Sequence, residues 1–131
     1  MVKKAAKRAK LKAAPRKKAG ADIRIKRAYD PPEPDDGLRI LIDRLWPRGM
    51  PKARLRLDAW VKHLAPSNAL RKWYQHDEQK FAQFRRRYLA ELKAQDLGEL
   101  RQAIKGRSVT LLTATRELDL SHATVLRDLL G

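Results

Sequence analysis

The stretch of sequence that decides the fold is Leu38-Arg39-Ile40-Leu41-Ile42-Asp43-Arg44-Leu45-Trp46-Pro47-Arg48-Gly49. Its first half is a short apolar run typical of a buried strand. Its second half is a charged loop whose Pro and Gly end that strand. Because open α/β sheets bind ligands beyond the carboxyl ends of their strands, this loop is a candidate binding site.

Two further strands are indicated on either side of this stretch. Residues 22–29 alternate between polar and apolar, as in a half-exposed edge strand, and residues 108–115 mix apolar with β-branched residues. The long helical sequence between residues 38–45 and 108–115 favours a crossover between parallel strands. The proline-rich loop 30–37 is too short for a helical crossover, so we expect the strand at 22–29 to run antiparallel beside the one at 38–45.

The sequence after Gly49 indicates about five helices. Candidate capping residues stand at helix starts: Asp58, Ser67, Asp77, Asp96 and Ser121. The longest predicted helix, about 78–95, carries its large apolar residues on one stripe: Phe81, Phe84, Tyr88, Leu89 and Leu92. The predicted fold class is therefore α/β, with a small sheet of about three strands, two parallel core strands and an edge strand, packed with about five helices.

The positive charge is concentrated at the amino terminus. The 131 residues hold 31 Lys and Arg against 15 Asp and Glu, a formal net charge of +16. A segment rich in Lys and Ala buries too little apolar surface to fold alone, so we predict a disordered basic arm over 1–21 and a single α/β domain over 22–131. The arm is either a nucleic-acid contact or a solubilising tail. Its cations are Lys3, Lys4, Lys7, Arg8, Lys10, Lys12, Arg16, Lys17 and Lys18.

Several classes of protein are disfavoured. The chain has no cysteine, no apolar run long enough to span a membrane and no signal-like segment, so we expect a cytoplasmic protein without a membrane partner. The three histidines lack the spacing of metal ligands, and no phosphate-binding loop of Walker or dinucleotide type is present. The sequence therefore indicates no metal and no cofactor, and it leaves the oligomeric state open.

Two loops hold most of the unusual polar residues. If strands 38–45 and 108–115 are parallel, the loops that follow them meet at one edge of the sheet, beside the start of a helix over 121–130 whose free N–H groups favour an anion. The candidate ligand-binding residues in and after these loops are Arg44, Trp46, Arg48, Thr113, Thr115, Arg116 and Ser121. The alternative is that Arg44 pairs with Asp43 or Asp58 and that the rest only form turns.

Arg85 and His122 each have two interpretations. Helical spacing puts Arg85 on the buried stripe of helix 78–95, where it either forms a structural ion pair with Asp43 or another core-facing acid, or binds a phosphate or carboxylate at the same sheet edge. His122 opens the apolar face of the last helix, and it is either a packing residue or a catalytic acid/base.

The chain also resembles a known family. The residues that carry the resemblance are Asp43-Arg44-Leu45-Trp46-Pro47-Arg48-Gly49, Ala65-Pro66-Ser67, Leu70-Arg71-Lys72-Trp73, Phe84-Arg85, Tyr88, Glu91-Leu92, Val109-Thr110-Leu111-Leu112, His122-Ala123 and Val125-Leu126. In order and spacing they are similar to the YeaO-like family of small bacterial proteins, part of the superfamily of domain of unknown function 488. The resemblance covers about residues 23–130. It implies a compact α/β domain in the bacterial cytoplasm and supplies no established reaction.

Three functions stay open. The first is a binding module that holds a nucleotide or a nucleic-acid phosphate at the carboxyl edge of the sheet. The second is an enzyme that acts on a nucleotide-like anionic substrate with His122 as acid/base. The third is an interaction protein with an exposed aromatic patch formed by Trp60, Trp73 and Tyr74. The alternative is that these aromatics, which lie at helical spacing beside leucines, belong to the core.

Overall fold

The computed structural model describes residues 22–131, and the predicted disordered arm over 1–21 lies outside the described residues. The strands are β1 (Asp22–Arg27), β2 (Leu38–Leu41), β3 (Ala59–Trp60) and β4 (Ser108–Thr113). The α-helices are α1 (Lys52–Leu55), α2 (Asn68–Tyr74), α3 (Phe81–Lys93), α4 (Gly98–Ile104) and α5 (His122–Leu130). Short 3-10 turns cover Pro34–Asp36, Lys62–Leu64, Glu78–Lys80 and Leu118–Leu120. The α/β class and five α-helices are confirmed within the described residues.

The sheet has the strand order β1-β4-β2-β3, and every neighbouring pair is parallel. It holds four strands, so the prediction of about three is wrong. The additional strand is β3, which pairs with the end of β2. It occupies the start of the segment for which the sequence predicts a helix capped by Asp58. The Asp58 carboxylate instead accepts the Arg39 N–H at 2.9 Å, and this contact fastens β3 to β2.

β1 and β2 are not neighbours, and the prediction that they run antiparallel side by side is wrong. Both pair in parallel with β4, which lies between them. The ten residues that join them can extend to about 33 Å. That reach exceeds the roughly 20 Å length of a six-residue strand. The proline-rich segment therefore crosses the sheet without a helix, and β1 is a parallel edge strand.

The two faces of the sheet are covered unequally. Helices α2 to α5 pack on the face that carries Ile40 and Leu111, in one large apolar cluster. On the other face, Leu41 and Leu112 pack with Leu55 of α1 in a smaller cluster. Burying one such side chain contributes about 1.5–3 kcal/mol. The large cluster therefore fixes the helix ends that reach the carboxyl edge of the sheet.

Ser67 and Ser121 cap helices, as predicted. The Ser67 hydroxyl accepts the Leu70 N–H at 3.1 Å, and the Ser121 hydroxyl accepts the Ala123 N–H at 3.2 Å. A side-chain cap satisfies N–H groups that have no partner inside the helix. The second cap starts α5 at His122, which places this histidine beside the carboxyl ends of the strands.

Candidate functional site

A cavity of about 550 Å³ lies at the carboxyl edge of the sheet, and we call it the edge cavity. The loops after β1, β2 and β4 line it, together with the segments around α2 and the start of α5. Its lining residues are Tyr29, Asp43, Arg44, Leu45, Trp46, Pro47, Arg48, Ala65, Pro66, Arg71, Tyr74, His76, Phe84, Ala114, Thr115 and His122. The loops that follow β2 and β4 therefore meet at one edge, as expected for parallel strands.

The loop after β2 is held from several sides. The Trp46 indole N–H donates to the Met50 carbonyl at 2.7 Å, and the Tyr29 hydroxyl donates to the Arg48 carbonyl at 2.9 Å. Gly49 turns the chain with a φ of 75°, a conformation that costs glycine little. Because the polar atoms of Trp46 and Tyr29 are used by the backbone, these two rings offer a ligand chiefly their apolar surfaces.

Asp43 and His122 form a contact between the ends of two strands. Nε2 of His122 lies 3.2 Å from Asp43 Oδ1 and 3.2 Å from the Ile42 carbonyl oxygen. The other carboxylate oxygen of Asp43 accepts the Ala114 N–H at 2.8 Å. Residues that are far apart in sequence are thereby held together at the inner end of the edge cavity.

The environment of Asp43 keeps its carboxyl group ionised. Burial alone raises the pKa of Asp43, because it disfavours the charged form. The hydrogen bond and charge of His122, with hydrogen bonds from the Ala114 N–H and from Thr113, outweigh burial and hold the pKa below its usual range. Asp43 is therefore a carboxylate at neutral pH.

Arg44 reaches the edge cavity without an acidic partner. Its Nη2 donates to the Pro66 carbonyl at 3.3 Å, and its buried Nε has no hydrogen-bond partner among residues 22–131. Within the same residues no carboxylate oxygen lies within 4.0 Å of its guanidinium, so the alternative pairing with Asp43 or Asp58 is not formed. A partly buried cation of this kind calls for an anion.

An arginine from α2 and a histidine from the turn after it also reach the edge cavity. Arg71 and His76 both line the edge cavity. The chain leaves α2 through two consecutive left-handed residues, Gln75 with a φ of 47° and His76 with a φ of 56°. Such conformations are strained outside glycine and cluster at functional sites. The strained turn brings His76 to the rim of the cavity.

The structure brings together five of the residues predicted as ligand-binding or catalytic: Arg44, Trp46, Arg48, Thr115 and His122. Thr113 and Ser121 are fully buried behind the lining. Arg116 is exposed and outside the lining. Arg85 is also outside it, with its guanidinium 3.8 Å from the carboxylate of Asp128 and 40% of its side chain exposed. The prediction that Arg85 lies on the buried stripe is therefore wrong, and its pair with Asp128, whose side chain is 49% exposed, is a surface pair and not one with a core-facing acid.

Sequence reasoning missed several lining residues. Tyr29 follows β1 just as Asp43 follows β2, and a parallel assignment of β1 would have placed Tyr29 at the same edge. Asp43 falls inside the predicted strand 38–45, whereas the strand ends at Leu41, which puts Asp43 at the edge. No local pattern marks Arg71 and His76, because their place depends on how α2 packs.

The described residues show no exposed aromatic patch at Trp60, Trp73 and Tyr74, in keeping with the alternative that these residues belong to the core. Tyr74 is 3% exposed, while Trp60 and Trp73 are half-buried. The exposed large apolar side chain in residues 22–131 is Leu45, at 68%, and it lines the edge cavity. No helix of residues 22–131 has the length and apolar character needed to cross a membrane.

The fold and site define a small parallel α/β domain with a cation-lined cavity at the carboxyl edge of its sheet. The chain belongs to the DUF488-N3i family, described as the inactive DUF488-N3 subclade, which it matches over residues 22–131. It is 47% identical over 111 residues to the uncharacterized protein Rv3073c of Mycobacterium tuberculosis, covering 83% of this chain and 93% of that protein. It is 45% identical over 109 residues to the uncharacterized protein YeaO of Escherichia coli, covering 82% and 95%. The YeaO-like resemblance is therefore confirmed. No solved structure matches the chain.

Proposed function

We propose that this domain is a binding module for an anionic ligand that carries a phosphate, either a nucleotide or a nucleic-acid phosphate, in the edge cavity. The observation that carries the proposal is Arg44, a partly buried guanidinium without an acidic partner among residues 22–131. A guanidinium suits phosphate because its planar N–H groups match two oxygens at once.

The remaining lining supports a ligand that is both anionic and partly apolar. Arg48 and Arg71 add cations and His76 adds an imidazole, while Trp46 and the exposed Leu45 add apolar surface. The cavity volume of about 550 Å³ falls within the usual range of small-molecule sites, about 300–1,000 Å³. A phosphate joined to a planar base has both kinds of chemistry.

The family description also favours binding over catalysis. The chain belongs to a family described as an inactive subclade. A cavity lined by arginines is consistent with recognition of an anion. The basic residues of 1–21 add charge that would strengthen a nucleic-acid complex at low salt.

Titration of the full chain tests the proposal. Calorimetry with inorganic phosphate, adenosine monophosphate and a short single-stranded oligonucleotide measures affinity at low salt. Arg44→Ala should weaken binding at least about tenfold, because a charge-assisted hydrogen-bond pair is lost. Arg86→Ala is the matched control, since Arg86 is exposed on α3 and outside the cavity lining. Equal affinity of Arg44→Ala and the native chain, or no binding of any of the three probes, contradicts the proposal.

The contribution of the basic residues of 1–21 to oligonucleotide binding can be measured separately. Replacing the lysines of residues 3–18 with glutamine should reduce the salt dependence of oligonucleotide binding by about 0.7 in log–log slope for each lost contact. The same variant should bind adenosine monophosphate as the native chain does. An unchanged salt slope would assign oligonucleotide binding to the edge cavity alone.

The Asp43–His122 contact favours one second candidate, an enzyme that acts on a nucleotide-like anionic substrate with His122 as acid/base. A carboxylate beside an imidazole is an arrangement that proton transfer uses. Release of phosphate or base from nucleoside phosphates, abolished in His122→Ala, would establish this activity.

A further inference from the structure

We infer that Asp43 is a positioning residue for His122: it holds the imidazole with Nε2–H turned into the protein, so that Nδ1 is the ring nitrogen presented to a phosphate-bearing ligand. The inference rests on the proposed function and deepens it, because it names the atom that meets the ligand. It involves no covalent step.

The neighbours of Nε2 decide where the ring carries its hydrogen. Nε2 lies 3.2 Å from the Ile42 carbonyl oxygen and 3.2 Å from Asp43 Oδ1. A carbonyl and a carboxylate only accept hydrogen bonds, so Nε2 must donate in both the neutral and the cationic ring. Nδ1 has no hydrogen-bond partner within residues 22–131, and His122 lines the edge cavity.

Asp43 is itself held in place. One of its carboxylate oxygens accepts the Ala114 N–H at 2.8 Å, and its backbone carbonyl accepts the Trp60 indole N–H at 2.7 Å. The oxygen nearest His122 is buried, and apart from Nε2 of His122 at 3.2 Å it has no hydrogen-bond partner among the described residues. A fixed negative charge therefore lies 3.2 Å from Nε2 of the imidazole.

A second group restricts the ring. The Tyr88 ring meets the His122 imidazole edge to face, with centroids 6.0 Å apart and planes at 72°. The Tyr88 hydroxyl donates to the Leu64 carbonyl at 2.6 Å, so it does not compete for Nδ1. Burial raises the pKa of Tyr88, and this residue stays neutral. Orientation thus comes from Asp43, Ile42 and Tyr88, and the remaining nitrogen is left for the ligand.

The arrangement has a direct chemical use. A protonated His122 donates Nδ1–H to a phosphate oxygen, beside the guanidinium of Arg44. A neutral His122 offers Nδ1 as an acceptor to a hydroxyl of the ligand. If the ring turned over, Nε2 would face the ligand and Nδ1 would face the two acceptors.

Nitrogen NMR of the full chain without ligand tests the positioning. Two-bond ¹⁵N–¹H spectra of the neutral ring should show the Nε2–H tautomer in about nine-tenths of molecules, since both neighbours are acceptors. Asp43→Asn should lower that fraction clearly, because its amide N–H₂ offers a donor to Nε2. Asp35→Asn, an exposed change outside the cavity lining, should leave it unchanged. A native Nδ1–H tautomer, or the same ratio in Asp43→Asn as in the native chain, overturns the inference. If Asp43→Asn fails to fold, the native spectrum decides.

A pair of substitutions tests which nitrogen meets the ligand. The amide of His122→Asn sits near the position of Nδ1, and the amide of His122→Gln sits near that of Nε2. With adenosine monophosphate as probe, His122→Asn should bind at least about fivefold more tightly than His122→Gln, since it keeps a donor toward the phosphate. The reverse order overturns the inference. Absence of nucleotide binding to the native chain overturns the role at the ligand, while the free-protein spectra still judge the positioning by Asp43. The two failures are therefore distinguishable.

Discussion

Two charged groups of this domain, both supplied by the strands of the sheet and the loops that follow them, differ in whether their charges are satisfied. The first, which we call the ion cluster, consists of Lys26, Asp36 and Arg39. Asp36 lies 3.0 Å from the Lys26 ammonium and 2.5 Å from the Arg39 guanidinium. The second is the edge cavity, where Arg44 has no acid within 4.0 Å among residues 22–131.

The difference separates structural charge from charge available to a ligand. In the ion cluster Asp36 is 1% exposed, and Lys26 also contacts Glu33 at 3.2 Å. The Arg39 Nη2 is buried without a partner in the described residues, yet its guanidinium charge is compensated by Asp36. Glu33, Asp35 and Asp36 lie close enough together to resemble a metal site. The Lys26 ammonium already meets two of these acids, so the ion cluster is complete without a ligand.

The largest expected effect is the loss of the Asp36 charge. Asp36→Asn leaves Lys26 and the buried Arg39 without their shared carboxylate, and breaking a buried pair in this way costs about 3–5 kcal/mol. Urea unfolding of the full chain measures the change in the free energy of unfolding. Asp35→Asn is the control, because its pair with Arg24 is exposed and such pairs contribute about 0–1 kcal/mol. Equal costs for the two variants would break the distinction between the ion cluster and an ordinary surface pair.

Two glycines extend the comparison to the backbone. Gly37 follows Asp36 with a φ of 67°, and a Cβ there would lie 2.1 Å from the Ser108 carbonyl oxygen. Gly49, in the cavity loop, has a φ of 75° but no atom within 4 Å of such a Cβ. Gly49→Ala should therefore cost only backbone strain, about 1 kcal/mol, and Gly37→Ala should cost about 2–3 kcal/mol because backbone atoms must also move. Thermal unfolding of both variants checks the order, and a more costly Gly49→Ala would show that the cavity loop is the tighter one.

The sequence predicted the part of the site that depends on strand direction alone. The loops with Arg44 and His122 meet because a long helical crossover joins two parallel strands, and that inference needs only element lengths. Tyr29 was missed because the extended proline-rich segment after β1 crosses the sheet without a helix. β3 was missed because two residues are too few to show an alternating pattern.

The contacts within the site were beyond sequence reasoning for a different reason. Asp43 meets His122 only because α5 packs on the sheet through residues such as Val125 and Leu126. Arg71 and His76 reach the cavity because α2 docks through Leu70 and Tyr74. Such placements follow from side-chain packing across the whole domain, which periodicity along one helix does not specify.

A smaller effect should follow from pH, and its sign differs at the two ends of the scale. Burial raises the pKa of Asp36, but hydrogen bonds from the Glu33 N–H, Lys26 and Arg39 outweigh it and hold the pKa below its usual range. Asp36 therefore stabilises the fold above the unfolded pKa of about 3.9, and this contribution is lost as pH falls through the folded value.

Lys26 acts in the opposite direction. Burial lowers the pKa of Lys26, but hydrogen bonds to Asp36 and Glu33 and the charges of both acids raise it above 10.5. Its contribution is present below that value and is lost as pH rises through the folded pKa. Urea unfolding at pH 3, 7 and 11 should show less dependence on pH at both ends in Asp36→Asn than in the native chain. Parallel profiles for the two proteins would locate the titrating groups elsewhere.

The smallest expected effect on stability belongs to Arg44. A small effect is expected because Arg44, unlike the residues of the ion cluster, has no acidic partner among the described residues whose loss would destabilise the fold. Arg44→Ala removes a hydrogen bond of 3.3 Å to the Pro66 carbonyl and no ion pair within the described residues, so the free energy of unfolding should fall by only about 1 kcal/mol. Urea unfolding without ligand gives this value, and unfolding with saturating phosphate gives the second. The native chain should gain stability with ligand by linkage, whereas Arg44→Ala should gain less. A cost of 3 kcal/mol or more without ligand, about the size expected for a buried ion pair, would mean that Arg44 serves the fold as Arg39 does.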